Sequence, residues 1–432
     1  KFIKYALAAF IFIILLYSIT AKGIFGSLPE DGQVALEKRP LVTLEESSDK
    51  QIFFGDLHVH TTFSQDAFLF SLPMLQGEGT HPPSDACNFA RFCSALDFFS
   101  ITDHAEGLSK RMWDDTIASL RSCSSDTQGD PSDLIAFAGW EWTQMGDTPE
   151  THYGHKNIIL RSLSEVPEKP IGAGTTGIDL IIESPFTPAA LLLADFPPES
   201  IDLDFLKYRS TIYSTPLCSQ DRAKTSAECR EDAPTPEILF KKLDQLELDS
   251  LVIPHGTTWG IHAPPESTFS MQLKDGYHDP ERQRLIEVYS GHGNSEKYKK
   301  IQHVTKDVEG NNLCPEPSKT FEPCCWRAGQ IVLNRCTLSG DENCELEAEN
   351  AKTEFVNNLF NITRFGLVED TEPEDWKQCG QLQDDFLPAY TYRPKMSAQA
   401  ALASKVEASE VKNFKLGLIG STDNHKARAG SG

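Results

Sequence analysis

The chain has 432 residues, 39% of them hydrophobic, and its 40 Lys and Arg against 63 Asp and Glu give a formal net charge of −23. That hydrophobic share is too high for a disordered chain, and the charge is too negative for a general binder of nucleic-acid backbones, so no nucleic-acid partner is expected. The length suits one large α/β domain carrying insertions, or two domains, because single cores stop growing near roughly 250–300 residues.

The first stretch, KFIKYALAAFIFIILLYSITAKG, places Lys1 and Lys4 ahead of an uncharged run from Tyr5 to Ala21, with Lys22 after it. Such a run is at the lower edge of what spans a bilayer, about 17–25 residues, so residues 1–22 read as a transmembrane signal-anchor or a signal peptide. The leading lysines favour a cytoplasmic N-terminus, and the lack of a small-x-small cleavage site favours the anchor. With no initiating Met, at least one residue is expected to precede Lys1. Residues 23–50, rich in Pro, Glu and Gly and without periodicity, read as a linker from the inner membrane to an exported or periplasmic domain, residues 51–432.

Eleven cysteines agree with export, because disulfides persist in oxidising compartments. Cys218 with Cys229 is the simplest local pair, and an odd total leaves at least one thiol unpaired. No CxxC spacing occurs between Cys314 and Cys344, which counts against a thiolate zinc site there. The sequon Asn361-Ile362-Thr363 would matter only in a glycosylating pathway.

Beyond the linker, short apolar runs end in polar residues of one chemical type. Ile52 to Leu57 leads to His58-Val59-His60, Asp97 to Thr102 to Asp103-His104, and Leu134 to Gly139 to Trp140-Glu141-Trp142. His152 and His155 precede the strand-like run Asn157 to Arg161. Ser250 to Pro254 ends at His255, Leu285 to Tyr289 is followed by Gly291-His292, and Lys415 to Gly420 by Asp423-Asn424-His425. Continuous apolar runs suit strands buried on both faces. Helical patterns lie between them at Ser84 to Leu96, Ser109 to Cys123, Pro236 to Leu248 and Ser397 to Lys412, so the alternation predicts an α/β fold with a largely parallel sheet. Ligands gather at the carboxyl ends of strands in such folds.

A lone His at a strand end is more often a hydrogen-bonded core or loop residue than a ligand. The weight shifts when most candidate strands end in His, Asp or Glu. His58 and His60, two apart on an extended chain, share a face, and so do Asp423 and His425. Imidazole nitrogen with carboxylate oxygen, and no cysteine among them, suits zinc, manganese or iron. Glu141 is the candidate carboxylate shared between two cations. Trp140 and Trp142 beside it read either as a dry pocket wall or as core aromatics.

FGDLHVHTTFSQDAF, ITDHAEG, GWEWTQ, HYGHKN, IPHGTTWG, EVYSGHG and GSTDNH together resemble the PHP superfamily, named for polymerase and histidinol phosphatase. Within it the chain is most similar to the membrane-anchored branch catalogued as a domain of unknown function. The likeness runs from Ile52 to Gly432. It implies a distorted (β/α)7 barrel with up to three divalent metal ions at its mouth, and hydrolysis of phosphoesters. By that resemblance His58 and His60 hold the first metal with Asp423. Glu141 bridges the first and second, His155 and His255 complete the second, and His104 and His425 belong to the third. Asp66 stands where many PHP enzymes have a further His, and its carboxylate suits a hard cation. Only one of His152 and His155 is needed, and His155, next to the strand, is favoured. The closeness of His425 to Gly432 suggests that a further segment follows.

The mechanism expected is in-line attack on phosphorus by a metal-bridging hydroxide, with two cations about 3.5–4 Å apart clamping the attacking and leaving oxygens. Asp103 or His292 is the expected orienting group or leaving-group acid. The chain charge favours a small-molecule phosphoester as substrate. Rival readings are a metallohydrolase of C–N or carboxylic ester bonds, a non-catalytic metal-stabilised binding module, and a disulfide-rich adhesion or scaffolding module. The Cys-rich insertion, residues 296–391, reads as a disulfide-pinned excursion near the mouth or as a surface loop. No GxxxxGK[ST] occurs, and no internal repeat or low-complexity tract is present.

Overall fold

Apolar runs alternating with helical stretches build the sheet that positions the polar strand ends. The computed structural model describes residues 2–35, 52–72, 77–124, 134–174, 203–219, 228–260, 262–274, 276–291, 293–294, 296, 302–339, 343–357, 368–371, 373–377, 379–380, 392–405 and 413–431. Its strands are β1 (Gly55–Asp56), β2 (Phe98–Ile101), β3 (Ile135–Trp142), β4 (Lys156–Leu160), β5 (Ile171–Gly172), β6 (Glu231–Asp232), β7 (Ser250–Pro254), β8 (Leu285–Ser290), β9 (Gly293–Asn294), β10 (Thr305–Lys306), β11 (Asn312–Leu313) and β12 (Gly417–Gly420). A five-stranded sheet runs in the order β1-β2-β3-β4-β7, and a three-stranded sheet in the order β12-β8-β9.

β1, β2 and β3 pair in parallel, with Gly55 opposite Phe98 and Phe98 opposite Ile135. Each of their crossovers carries a helix, Pro83–Phe92 in the first and Lys110–Cys123 in the second. The second starts where Ser109 caps it by accepting from Met112 N, and it buries Met112, Trp113, Thr116, Ile117 and Leu120 on one stripe. The link from β3 to β4, residues 143–155, holds no helix. β4 therefore turns back antiparallel to β3, Glu141 opposite Asn157, and β7 runs antiparallel to β4, Lys156 opposite Pro254. Two reversals bring the start of β4 and the end of β7 to the same edge as the end of β3. The three-stranded sheet meets the larger one through an isolated bridge, Val59 with Asn424, and through Val252 N donating to Arg282 O at 3.0 Å.

These features correct the fold implied by the resemblance. A (β/α)7 barrel needs parallel neighbours joined by crossovers of a dozen or more residues, usually helical. The main sheet is instead a curled half-barrel of five strands with two antiparallel pairings. The transmembrane helix is corrected as well. Phe2–Ala21 is helical, yet among the described residues no helix is long and apolar enough to cross a membrane. The uncharged run from Tyr5 rises about 26 Å at 1.5 Å per residue, short of the roughly 30 Å hydrocarbon core. The turn after it rests on helix Leu203–Tyr213, where Ser210 Oγ donates to Lys22 O at 2.6 Å. Gly23 there has φ 56°, and a Cβ would lie 2.6 Å from Leu206 O.

Behind the sheet, Trp113 meets Trp140 edge to face at 5.8 Å. Trp140 Nε1 donates to Ile171 O at 2.9 Å and Trp142 Nε1 to Ala233 O at 2.7 Å. The two tryptophans flanking Glu141 are thus core residues with satisfied donors, and alternation along β3 sends Glu141 to the opposite face.

Five disulfides join Cys87–Cys123, Cys218–Cys229, Cys314–Cys325, Cys324–Cys379 and Cys336–Cys344, leaving Cys93 free and exposed. They place the chain in an oxidising, exported or periplasmic environment. They also occupy all the cysteines of the insertion. Its described part is a small unit of its own, with helices Cys324–Ser339 and Cys344–Asn357 around Ala328, Ile331, Phe355 and Trp376. The sequon Asn361–Thr363 lies outside the described residues.

Candidate metal centre

Glu141, near the end of β3, is 1% exposed and lies at the middle of the polar cluster. Its Oε1 is 2.7 Å from His155 Nδ1 and 3.4 Å from His255 Nε2. Its Oε2 is 3.3 Å from His60 Nε2, 3.6 Å from His58 Nε2 and 3.3 Å from His104 Nδ1. The two oxygens of one carboxylate thus face different sets of imidazoles.

Among the described residues, three overlapping groups of donor atoms can hold a metal ion: His58, His60 and Asp423; His58, Glu141 and His255; and His60, Asp66, His104 and His425. In the first, His58 Nε2, His60 Nε2 and Asp423 Oδ1 form a triangle with sides of 3.1, 3.1 and 3.2 Å. Donors about 2.0–2.1 Å from one cation stand roughly 3.3 Å apart in a tetrahedral set, so the triangle fits. In the last, Asp66 Oδ2 is 3.1 Å from His104 Nε2 and 3.0 Å from His425 Nε2. Asp66 thus enters the cluster despite being the departure from the usual His. The buried atoms His155 Nε2 and His255 Nδ1 have no hydrogen-bond partner.

The rings are aimed by residues behind them. His58 Nδ1 is 3.0 Å from Glu287 Oε2 and His60 Nδ1 is 3.0 Å from Ser64 Oγ. His425 Nδ1 donates to the carbonyl of Asp423 at 3.0 Å, which turns Nε2 toward Asp66 Oδ2 at 3.0 Å. Asp56, 1% exposed, receives His58 N, Thr422 N, Thr422 Oγ1 and Gly430 N, and so staples the segment after β12 to the one after β1.

Electrostatics follow from this crowding. Burial opposes ionisation of Glu141, but His104, His255 and His155 outweigh it and hold the carboxyl well below its ordinary range. Burial, with His58 beside it, pushes His255 down to about 4, so its imidazole is neutral at neutral pH. At His58 burial is outweighed by Asp423 and Glu287, which raise it well above the usual value. The cluster thus attracts positive charge at the point where a cation would displace the proton.

His58, His60, Asp66, His104, Glu141, His155, His255, Asp423 and His425 come together. His152 does not join them: it is buried, accepts from Gly146 N at 3.3 Å through Nδ1, and is pushed to about 3 by burial and His155. Asp103 is buried with Oδ1 accepting from Thr61 N at 2.6 Å and Oδ2 from Thr61 Oγ1 at 2.7 Å, an anchor for the turn after His60. Burial pushes its carboxyl up to about 7. His292 lies outside the described residues.

Sequence reasoning missed Glu287, Asp56, Ser64 and His262, whose ring stacks on His155. Glu287 had a signal, a lone acid inside the apolar run LIEVY. Asp56 and His262 had none, because their partners are remote in the chain, and Ser64, four residues after His60, had none because a serine in a turn after a strand has no distinguishing pattern.

A family described as a protein of unknown function (DUF3604) matches residues 47–113, the stretch that carries His58, His60, Asp66 and His104. No curated protein matches the chain. No solved structure matches it either.

Proposed function

We propose that the chain is a metal-dependent hydrolase of small phosphoesters that works outside the cytoplasm, related in its site to the PHP superfamily. The observation that carries this reading is Glu141, whose oxygens each face a separate set of imidazoles, as a carboxylate bridging two cations must. Two or three divalent ions, zinc, manganese or iron, suit nitrogen and oxygen donors without sulfur. His58, His60 and Asp423 would hold one, and Glu141, His155 and His255 a second. Asp66, His104 and His425 would hold a third.

Bound there, the cations supply Lewis-acid polarisation of an ester oxygen and neutralise charge on an anionic substrate. The chain's own residues do the positioning. Glu287 and Ser64 fix the His58 and His60 rings from behind, so both Nε2 atoms aim inward without rotameric search. His255 stays neutral and keeps its lone pair for a cation. Asp103, engaged by Thr61, holds the His60 turn in place. A chain of −23 charge repels long polyanions, which favours a small ester.

The test is elemental analysis of the purified protein, followed by a panel of phosphomonoesters, phosphodiesters, carboxylic esters and amides. Release of inorganic phosphate or of a phosphomonoester by metal-loaded protein, abolished in a His58→Ala, His60→Ala double variant, supports the reading. Turnover of only carboxylic esters or amides would replace it, and stoichiometric metal without any turnover would make the chain a binding module.

A further inference from the structure

The loop after β7 forms a wall beside the second cation group. His262 stacks on His155 with ring centroids 4.2 Å apart and planes 19° apart, while His155 Nδ1 contacts Glu141. Trp259 packs across His262 at 4.6 Å and 64°, so the two rings make a corner. Both are half-buried, in contrast to the fully buried Thr257 and Thr258 before them.

What holds this corner comes from the segment that follows the Cys-rich insertion. Arg393 N donates to Thr258 O at 2.9 Å, its Nε to Ala263 O at 2.9 Å, and its second guanidinium nitrogen to Gly260 O at 3.5 Å. Lys395 adds an ion pair to Glu266 at 2.7 Å. Tyr392 N donates to His303 Nε2 at 3.0 Å, and His303 packs edge-on against Phe321 at 5.0 Å. Next to Phe321, Glu322 O accepts from Gly380 N at 2.7 Å, beside the Cys324–Cys379 disulfide. Contacts thus run without a break from that disulfide through Arg393 to the ring that covers His155.

We propose that Trp259 and His262 select the non-phosphate group of the substrate, preferring a planar aromatic group to an alkyl one, and that Arg393 is the positioning residue that sets their corner. The inference rests on the phosphoester reading of the neighbouring cation groups. A planar ring can stack on one wall of an aromatic corner while presenting its edge to the other, whereas a small alkyl group gains neither contact. One wall lies against His155, so a group seated in the corner adjoins whatever the second cation group holds.

The experiment uses the metal-loaded full chain, with calorimetric titration of phenylphosphonate and methylphosphonate. Wild type is expected to bind phenylphosphonate roughly fivefold or more tightly than methylphosphonate, the size of one good aromatic contact. Trp259→Leu and His262→Ala are each expected to bring that ratio toward one while metal content and methylphosphonate affinity stay unchanged. Arg393→Ala is expected to do the same although it removes no aromatic surface. Should it not fold, Arg393→Lys, which replaces the planar fork that reaches the Gly260 and Ala263 carbonyls by a single ammonium, takes its place. Equal wild-type affinities, or a ratio that survives Trp259→Leu and His262→Ala, overturn the proposal. So does loss of metal in His262→Ala, which would make His262 a support for His155. Binding of neither phosphonate by the wild type removes the phosphoester reading and this proposal with it.

Discussion

Glu141 and Glu287 differ in what they touch, and their replacement should separate holding a cation from aiming its ligand. Glu141→Ala removes both oxygens that face the imidazoles, so elemental analysis is expected to find fewer bound ions than in the wild type. Full retention would remove the bridging role. Glu287→Gln keeps the shape but weakens the hold on His58 Nδ1. It should lower cation affinity about 10–100-fold, read by titration into chelator-treated protein, without unfolding the chain. Lys156 makes a different case. It is fully buried, donates to the carbonyls of Tyr153 and Gly154, and burial pushes it down to about 7. An unfolded lysine has a pKa of about 10.4, so from there down to about pH 7 the unfolded chain holds a proton that the folded one lacks. Stability from this group is therefore fully present above the upper bound and declines as pH falls through the window. Lys156→Met should flatten that slope in denaturant titrations between pH 7.5 and 10, and an unchanged slope would mean that Lys156 stays charged when folded.

β7 has the expected Ser250–Pro254 bounds, and Ser109 ends the run before its helix as the cap. Both were legible because hydrophobic period and capping chemistry are local. Strand direction was not, since a strand buried on both faces reads as a continuous apolar run whichever way it points. That is why the reversal at residues 143–155 was hidden and a barrel of parallel strands was expected. The site was legible nonetheless, because two reversals return the chain to the same edge and leave His155 and His255 beside Glu141. The residues behind the ligands were mostly illegible, as their partners lie far off in sequence, Asp56 and Thr422 among them. Disulfide pairing was likewise open except for Cys218–Cys229. It now gives a ranking: Cys324–Cys379 closes a separation of 55 residues and Cys336–Cys344 one of 8. Chain-entropy arguments give about 4 kcal/mol for the first and about 2.5 kcal/mol for the second. Double Cys→Ser variants compared by thermal denaturation should follow that order, and the reverse order would mean that the insertion stays compact when the chain unfolds.

Residues from position 58 to position 425 converge on the cation groups, so metal binding and folding of the chain are coupled. The segment after β12 is joined to the segment after β1 by Asp56 and by the Val59–Asn424 bridge, and Asp423 with His425 would add a cation tie between the same segments. Binding to the folded state alone adds about 4 kcal/mol when free cation exceeds its dissociation constant a thousandfold. Stripping the metal with a chelator should therefore lower the melting temperature, and restoring zinc or manganese should recover it. Protons compete for the same imidazoles: His58 is raised well above its ordinary value by Asp423 and Glu287, which outweigh its burial. Cation binding there displaces a proton, so the cation's stabilising increment should shrink as pH falls. Glu141→Ala supplies the control, because its melting temperature should respond to chelation much less than that of the wild type. If chelation leaves the wild-type melting temperature unchanged at every pH while removing all bound metal, the imidazoles hold the fold through hydrogen bonds alone, and the hydrolytic reading loses its physical basis.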